Sequence, residues 1–283
     1  MPAVCETPPV RVAVIGHVEW CQFARVDQMP RGGEIVHTVE EWEEPGGGGS
    51  LASVELVRLS GGCLFFTALG DDDLGRRARR ELEDLGVTVH ASQLREPTRR
   101  AIVHVDSAGE RTITVLGKKL LPRGDDANLP WEELARTDAV YFCSGDLAAL
   151  RVARKARIVV ATARELGTLR RGSIEVDALV GSGEDEDERY HPGELDPPPK
   201  LVVTTSGALG GWAQPGGPFR AEEPPGLVVD TYGAGDAFAA GLTFALGQGL
   251  AVEEALELAA LRGATALTRR GAHGDVDEEP VNV

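Results

Sequence analysis

The sequence predicts an α/β fold of three layers: a mostly parallel central sheet flanked by helices, with a small antiparallel sheet lying over one end. Two observations carry that expectation. Apolar runs that close on glycine or another small residue recur along the chain, as RVAVIG, CLFFTALG, AVYFCSG, RIVVATA, IEVDALVGSG and KLVVTTSG, the pattern of strands buried on both faces. Between residues 87 and 120 the texture changes to short β-branched stretches separated by turn residues, which reads as a second sheet.

The first run, Arg11 to Gly16, starts the main sheet. GEIVHTVEEWEE follows, with Ile35, His37 and Val39 alternating with other types, and then the loop Pro45 to Gly49. From there Leu51, Val54 and Val57 recur every third residue, so a helix is expected to begin at Ser50, with Ser50 as its N-cap. Cys63 to Gly70 is the next strand, and Leu74, Ala78, Leu82 and Leu85 mark one face of the helix after it, ended by Gly86. VTVHAS, RAIVHVD and RTITVLG, with the turn Asp106 to Glu110, make up the antiparallel sheet. From Asp138 the parallel strands resume, joined by short Ala/Arg-rich helices. Ligands in such folds sit beyond the carboxyl ends of the strands, where the small-residue turns fall. The acidic, proline-rich stretch Gly181 to Pro199 reads as a solvated loop, and the acidic tail Gly274 to Val283 as peripheral.

A chain of 283 residues with 42% apolar and 26% charged residues is expected to form one main domain, residues 1–283. Its 29 Lys and Arg against 45 Asp and Glu leave a formal charge of −16, which excludes long-range attraction to nucleic acid or an anionic membrane. A phosphorylated ligand must then be held by local geometry, through N–H groups at a helix N-terminus and a divalent cation. Cys5, Cys21, Cys63 and Cys143 are scattered without a CxxC pair and are expected as free thiols. No basic segment leads into an apolar run at the N-terminus, and nowhere do 18 apolar residues follow one another. A cytoplasmic location is therefore expected.

The chemistry concentrates in Leu227 to Gly249, LVVDTYGAGDAFAAGLTFALGQG. A strand-like run meets a glycine turn and then a helix, with Phe238, Gly241, Leu242, Ala245 and Leu246 on one face and Gly247 or Gly249 to end it. Gly233, Ala234 and Gly235 then lie at the helix N-terminus, where unpaired N–H groups and the macrodipole favour an anion. Asp236 stands beside them. A carboxylate next to an anion site either caps the helix or serves as the base that takes a proton from an attacking hydroxyl. A dinucleotide-binding strand is excluded because GHVEWC lacks the later glycines of GxGxxG, and neither GxxxxGK[ST] nor GxSxG occurs.

DTYGAGDAFAAG is similar to the DTxGAGDxFxxG signature of the PfkB carbohydrate kinase family, the ribokinase-like sugar and nucleoside kinases. PGGGGSLASVELVRLSGG resembles the family's first glycine signature, and FTALGDDDLGRRARRELEDLGV its GxDxxGxxxxxxLxxxGV segment. TRRAIVHVDSAGERTITV and VVTTSGALGG fit the lid and nucleotide sides. The resemblance implies a ribokinase-like fold with lid segments at about residues 30–44 and 88–120, ATP and Mg2+ as cofactors, and a sugar-like or nucleoside-like substrate. It implies Asp236 as general base with an anion hole at Gly233, Ala234 and Gly235, and Thr205, Ser206 and Gly207 near the nucleotide. It also implies Asp230 and Thr231 shaping the turn, with Asp230 near a cation, Gly46 and Gly47 against the substrate, and residues Ala259 to Ala264 beside the adenine. A homodimer joined through the lid is a further expectation.

Three departures from the family pattern bear on the substrate and the metal. Family members commonly carry Asn where this chain has Ser50-Leu51-Ala52. An Asp is usual about five residues past the first strand's glycine, where Cys21 stands; Glu19, on the same side of an extended segment, is the substitute or is merely exposed beside Trp20. The NxxE element that orders magnesium is replaced by GSGEDEDE, leaving Glu184, Asp185 and Glu186 as the acidic candidates. The competing reading is a catalytically impaired protein of the same fold that binds a metabolite or nucleotide without transferring phosphate.

Overall fold

The computed structural model describes residues 10–274; Cys5 and the tail after Gly274 lie outside the described residues. In chain order the strands are β1 (Val12–Ile15), β2 (Glu19–Arg25), β3 (Glu40–Gly46), β4 (Cys63–Gly70), β5 (Val87–Leu94), β6 (Arg100–Val105), β7 (Arg111–Leu116), β8 (Ala139–Phe142), β9 (Ile158–Thr162), β10 (Ala178–Ser182), β11 (Leu201–Thr205), β12 (Gly211–Gln214) and β13 (Gly217–Phe219). The helices are α1 (Gly48–Ser60), α2 (Asp73–Asp84), α3 (Leu147–Ala153), α4 (Leu166–Gly172), α5 (Ala234–Gln248) and α6 (Val252–Ala266).

The main sheet runs β13-β12-β11-β10-β9-β8-β1-β4-β5. It is parallel from β11 to β5, and β12 and β13 add an antiparallel hairpin at one edge. Alternation along β1 sends Val12 and Val14 to one face and Ala13 and Ile15 to the other. The first face packs on α1, α2, α5 and α6 through Val54, Leu82, Phe238, Leu242 and Leu256. The second packs on α3, α4 and the short 3-10 turn Trp131–Arg136 through Leu134, Leu150 and Leu169. These are the three layers expected.

The second sheet has the order β3-β2-β6-β7. Its outer pairs are antiparallel, but β2 and β6 are parallel, so it is mixed rather than antiparallel. The cause is that β2 and β6 arrive from separate crossovers and no hairpin joins them. Two lid boundaries also change. Residues 88–94 belong to β5, the parallel edge strand of the main sheet; an edge strand alternates buried and exposed residues, which imitates an antiparallel strand. On the other side the lid begins at Glu19, residues 27–38 carry no strand, and Ile35 and Val39 are exposed.

Helix α1 starts at Gly48, with Gly47 as its cap at φ 84°, two residues before the expected Ser50. Ser50 is not a cap. It is buried in the first turn, where its hydroxyl donates to the Pro45 carbonyl at 3.2 Å and meets His273 Nε2 at 3.2 Å. Helix α2 is capped by Asp72, whose carboxylate accepts from Gly75 N at 2.8 Å and also takes two hydrogen bonds from Thr98. Helix α5 ends on Gly249 in the left-handed conformation.

Candidate active site

A cavity of about 790 Å3 opens between the carboxyl ends of β8 to β11 and the underside of the lid. Tyr141, Thr162, Ser182 and Thr205 stand at those strand ends, and Glu19, Arg111, Ile113 and Val115 reach in from β2 and β7. The cavity therefore lies at the ligand edge expected of an open α/β sheet.

The N-terminus of α5 forms its floor. Gly233 caps the helix at φ 81°, a left-handed position that suits glycine, and a Cβ there would lie 2.9 Å from Leu51 Cδ2. Gly233, Gly235 and Asp236 line the cavity, so the unpaired N–H groups of the first turn and the positive end of the helix dipole face it. Asp230 and Thr231 do not line it. Asp230 is fully buried, and its two oxygens accept from Tyr232 N at 2.7 Å and Gly271 N at 3.1 Å. Thr231 donates to the Gly109 carbonyl at 3.2 Å and accepts from Arg111. Both build the turn.

Two glycine turns meet here. The Tyr232 hydroxyl accepts from Gly47 N at 3.1 Å and touches Cys21 Sγ at 3.3 Å. A Cβ on Gly48 would fall 2.8 Å from Asp236 Oδ1, so glycine is what lets the start of α1 reach the carboxylate. Gly47 and Gly48 line the cavity, whereas Gly46 lies behind them against Cys21 and Tyr232. Asp236 is partly open to the cavity and enclosed by protein elsewhere. Burial raises its carboxyl to about 6, against the pull of Arg164 and Arg111.

On the lid side, Glu19 takes the place next to the cavity and Cys21 is buried against Tyr232. Glu19 Oε1 lies 3.0 Å from Arg99 Nε and 3.7 Å from His17 Nε2. Burial raises the Glu19 carboxyl, while Arg99 and Lys119 oppose it. His17 meets Ser144 Oγ through Nδ1 at 3.0 Å and, desolvated, titrates well below an ordinary histidine. Leu51 presents an apolar side chain to the cavity in the stretch where the resembled pattern commonly has Asn.

On the opposite side Thr205 and Gly207 line the cavity, while Ser206 is folded into the following turn through a 2.7 Å bond from its N–H to the Gly210 carbonyl. Glu184, Asp185 and Glu186 all line the cavity, so the stretch read as a solvated loop is one of its walls. Arg164 and Glu188 join them there: Arg164 Nε donates to Glu188 at 2.5 Å, and the other Glu188 oxygen accepts from Ser182 N at 3.0 Å. Among the described residues no group of three or more His, Cys, Asp or Glu forms a preassembled metal cage. Ala259, Ala260 and Ala264 are buried in the core side of α6 and do not line the cavity.

The model of the pfkB family carbohydrate kinases matches residues 10–168 and 143–279. The chain belongs to this family. The ATP-dependent ribose-1-phosphate kinase of Halopiger xanaduensis is 31% identical over 93% of this chain and 94% of its own length. The aminoimidazole riboside kinase of Salmonella typhimurium is 30% identical over 81% and 83%. Among solved structures, ribokinase from Thermotoga maritima superposes with a TM-score of 0.75 at 23% identity, covering 93% of this chain and 95% of that one. Arabidopsis thaliana ribokinase, complexed with ribose and ATP, gives 0.70 at 21%, covering 95% and 97%. These likenesses establish the ribokinase-like fold.

In this pfkB family member five charged residues of the cavity escape a motif-based reading: Arg99, Arg111, Lys119, Arg164 and Glu188. For Arg164 a signal existed, since RIVVATA runs straight into it and it occupies the 3-10 turn Ala163–Glu165 at the end of β9, the edge where ligands sit. Arg99 and Arg111 owe their place to the long-range pairing of β6 and β7 in the lid, Lys119 follows β7, and Glu188 belongs to the 3-10 turn Glu186–Glu188 after β10.

Proposed function

We propose that this chain, as one ribokinase-like domain, is an ATP-dependent small-molecule kinase that moves the γ-phosphate to a hydroxyl of a sugar or nucleoside. The observation that carries the reading is Asp236: a carboxyl held at about 6 by burial, beside free N–H groups of a helix N-terminus, inside a cavity at the ligand edge of the sheet. A base with proton affinity near the working pH and an anion site within one helical turn are what phosphoryl transfer to a hydroxyl needs.

In this reading the hydroxyl oxygen forms a bond to the γ-phosphorus as its proton passes to Asp236. The bond from that phosphorus to the β,γ-bridging oxygen breaks, and ADP leaves with the electron pair. N–H groups at Gly233, Ala234 and Gly235 stabilise charge on the transferred group, and Thr205 and Gly207 lie along the nucleotide. Arg164, anchored by Glu188, faces the same phosphates. Glu184, Asp185 and Glu186 would hold hydrated Mg2+, which neutralises phosphate charge when bound. Glu19 and the Gly47 backbone contact the acceptor. The relatives named above act on ribose 1-phosphate and on aminoimidazole riboside, which supports a ribosyl or related hydroxyl compound. The exposed Ile35 and Val39 beside the lid support a homodimer; a strict monomer in micromolar sedimentation would remove that part.

The test is ATP consumption with magnesium across sugars, sugar phosphates, polyols and nucleosides. Substrate-dependent turnover that Asp236→Asn lowers by a factor on the order of 100 or more supports the reading. A silent panel with ATP still bound favours the impaired, ligand-binding alternative.

A further inference from the structure

One polar side chain of the cavity wall has no part in the proposed reaction. Tyr141 stands at the carboxyl end of β8, in register with Val14 of β1 and Val160 of β9. Alternation sends its ring to the α5 face of the sheet, where it packs with Val14, Val160 and Ala239, while Phe142 turns to the other face. Tyr141 is only 3% exposed, yet it lines the cavity together with Ala239 and, one helical turn earlier, Asp236. An aliphatic side chain would fill a place between two valines equally well, whereas a hydroxyl buried there costs stability unless it is hydrogen-bonded.

The surroundings of the hydroxyl show where it is aimed. The Thr162 side chain, at the end of β9, is the hydrogen-bond partner of the phenol oxygen, and Thr162 Oγ1 itself accepts from Arg164 N at 3.3 Å. The Thr162 contact favours the phenolate, as a bond given by Thr162 does, so it uses a lone pair of the phenol and leaves the phenol's own proton unspent. Asp236 disfavours ionisation of Tyr141 by its charge but forms no hydrogen bond with it, and neither does any other carboxylate or carbonyl of the described residues. Burial and the Asp236 charge hold the phenol well above its ordinary range, so it remains a neutral donor at every working pH.

We propose that Tyr141 is a catalytic residue: its hydroxyl donates to an oxygen of the phosphoryl group while that group passes from the nucleotide to the acceptor. The proposal rests on the kinase reading. Asp236 marks where the acceptor hydroxyl meets the phosphorus, so a donor beside it meets the phosphoryl group in mid-transfer rather than in the bound nucleotide. Tyr141 keeps its proton throughout. The new bond joins the acceptor oxygen to the γ-phosphorus, the bond to ADP breaks with its electron pair on ADP, and the one proton that moves goes from the acceptor to Asp236. A neutral donor suits this place. A further cation beside Asp236 would stabilise the same phosphoryl charge but would also lower the proton affinity of the base, as Arg164 already does. The phenol adds stabilisation of that charge without weakening the base.

The experiment is Tyr141→Phe, which removes one oxygen and keeps the ring in the core, followed by initial rates across roughly pH 5 to 9 with the acceptor that the wild type turns over best. Expected are a kcat lowered on the order of 100-fold, KM values for ATP and acceptor within about twofold, an acid limb at the wild-type pH, and thermal unfolding that shows an intact fold. An unchanged kcat overturns the proposal and leaves Tyr141 a core residue. A loss of rate with the acid limb moved to higher pH overturns it as well, because the hydroxyl then acts on Asp236 and not on the phosphoryl group. Both outcomes leave the kinase reading standing. If the wild type phosphorylates no acceptor, the kinase reading fails, and calorimetry with ADP, magnesium and fluoroaluminate, a planar mimic of a phosphoryl group in transfer, decides the aim of the hydroxyl. Fluoroaluminate binding that Tyr141→Phe weakens about tenfold or more, with ADP alone bound as before, supports it. Fluoroaluminate binding that is absent, or indifferent to the change, overturns it.

Discussion

Replacing Asp236 by Asn is expected to abolish turnover and at the same time stabilise the fold. The carboxyl moves from an ordinary 3.8 to about 6 on folding because burial disfavours its charge. At 1.36 kcal/mol for each tenfold change in proton affinity, the ionised form costs the folded state about 3 kcal/mol. Water reaching the cavity trims that, and about 2 kcal/mol is a fair expectation. The folded chain keeps this proton up to about pH 6, while the unfolded chain releases it near 4, so stability is lost as pH rises between them. The neutral, isosteric Asn escapes the penalty. Thermal unfolding should therefore give Asp236→Asn a Tm roughly 4–8 °C above wild type at pH 8, with most of the gain gone near pH 4. An Asn variant no more stable than wild type at pH 8, or a gain that does not shrink on acidification, would refute the argument that Asp236 is a strained carboxylate kept for chemistry.

In the proposed reaction the same proton sets the rate. For the free enzyme kcat/KM should reach half its plateau near pH 6, where Asp236 titrates, and fall to about a tenth at pH 5; a flat profile from pH 5 to 8 would remove Asp236 as the base. Gly48→Ala places a Cβ 2.8 Å from Asp236 Oδ1 and should lower kcat on the order of 10- to 100-fold, with a thermal scan showing the fold intact. Glu55→Gln removes the carboxylate shared by three arginines: Glu55, 1% exposed, pairs with Arg269 at 2.6 Å, with Arg58 at 3.5 Å and with Arg262. Burial alone would raise its carboxyl, but Arg269 and Arg262 outweigh burial and hold it low. The loss should be about 3–5 kcal/mol in urea titration.

The parallel strands were legible because burial on both faces leaves an unbroken apolar run, and β1, β4, β8, β9, β10 and β11 each carry one. The turn at Gly233 was legible because two closely spaced glycines running straight into an apolar helix have few other uses, and Gly233 takes φ 81° in the fold. What stayed hidden depends on distance along the chain. β5 lies at the sheet edge, and its alternation of Val87, Thr88 and Val89 fits either sheet until β4 is seen beside it. β2 carries Glu19, Cys21 and Phe23, mixed residues that become a strand only between β3 and β6. Ser50 has the chemistry of a cap, yet the close approach to Asp236 requires glycine at the first helical position, which moves the helix start back to Gly48. Arg99 and Arg111 sit inside the lid-like stretch TRRAIVHVDSAGERTITV, yet nothing in that pattern tells a cavity-facing arginine from a surface one.

The lid is wired to the site by very short connections. β1 ends at Ile15 and β2 begins at Glu19, and β3 ends at Gly46 with α1 starting at Gly48, so two short leashes tie the lid to this edge of the cavity. A slip of β3 along β2 that kept its faces would have to be two residues, about 7 Å. One intervening residue has no slack to absorb that. Any displacement of β3 would therefore be passed on to Gly48, which packs against Asp236. In the kinase reading proposed above, the position of the lid and the position of the backbone beside Asp236 are thereby coupled.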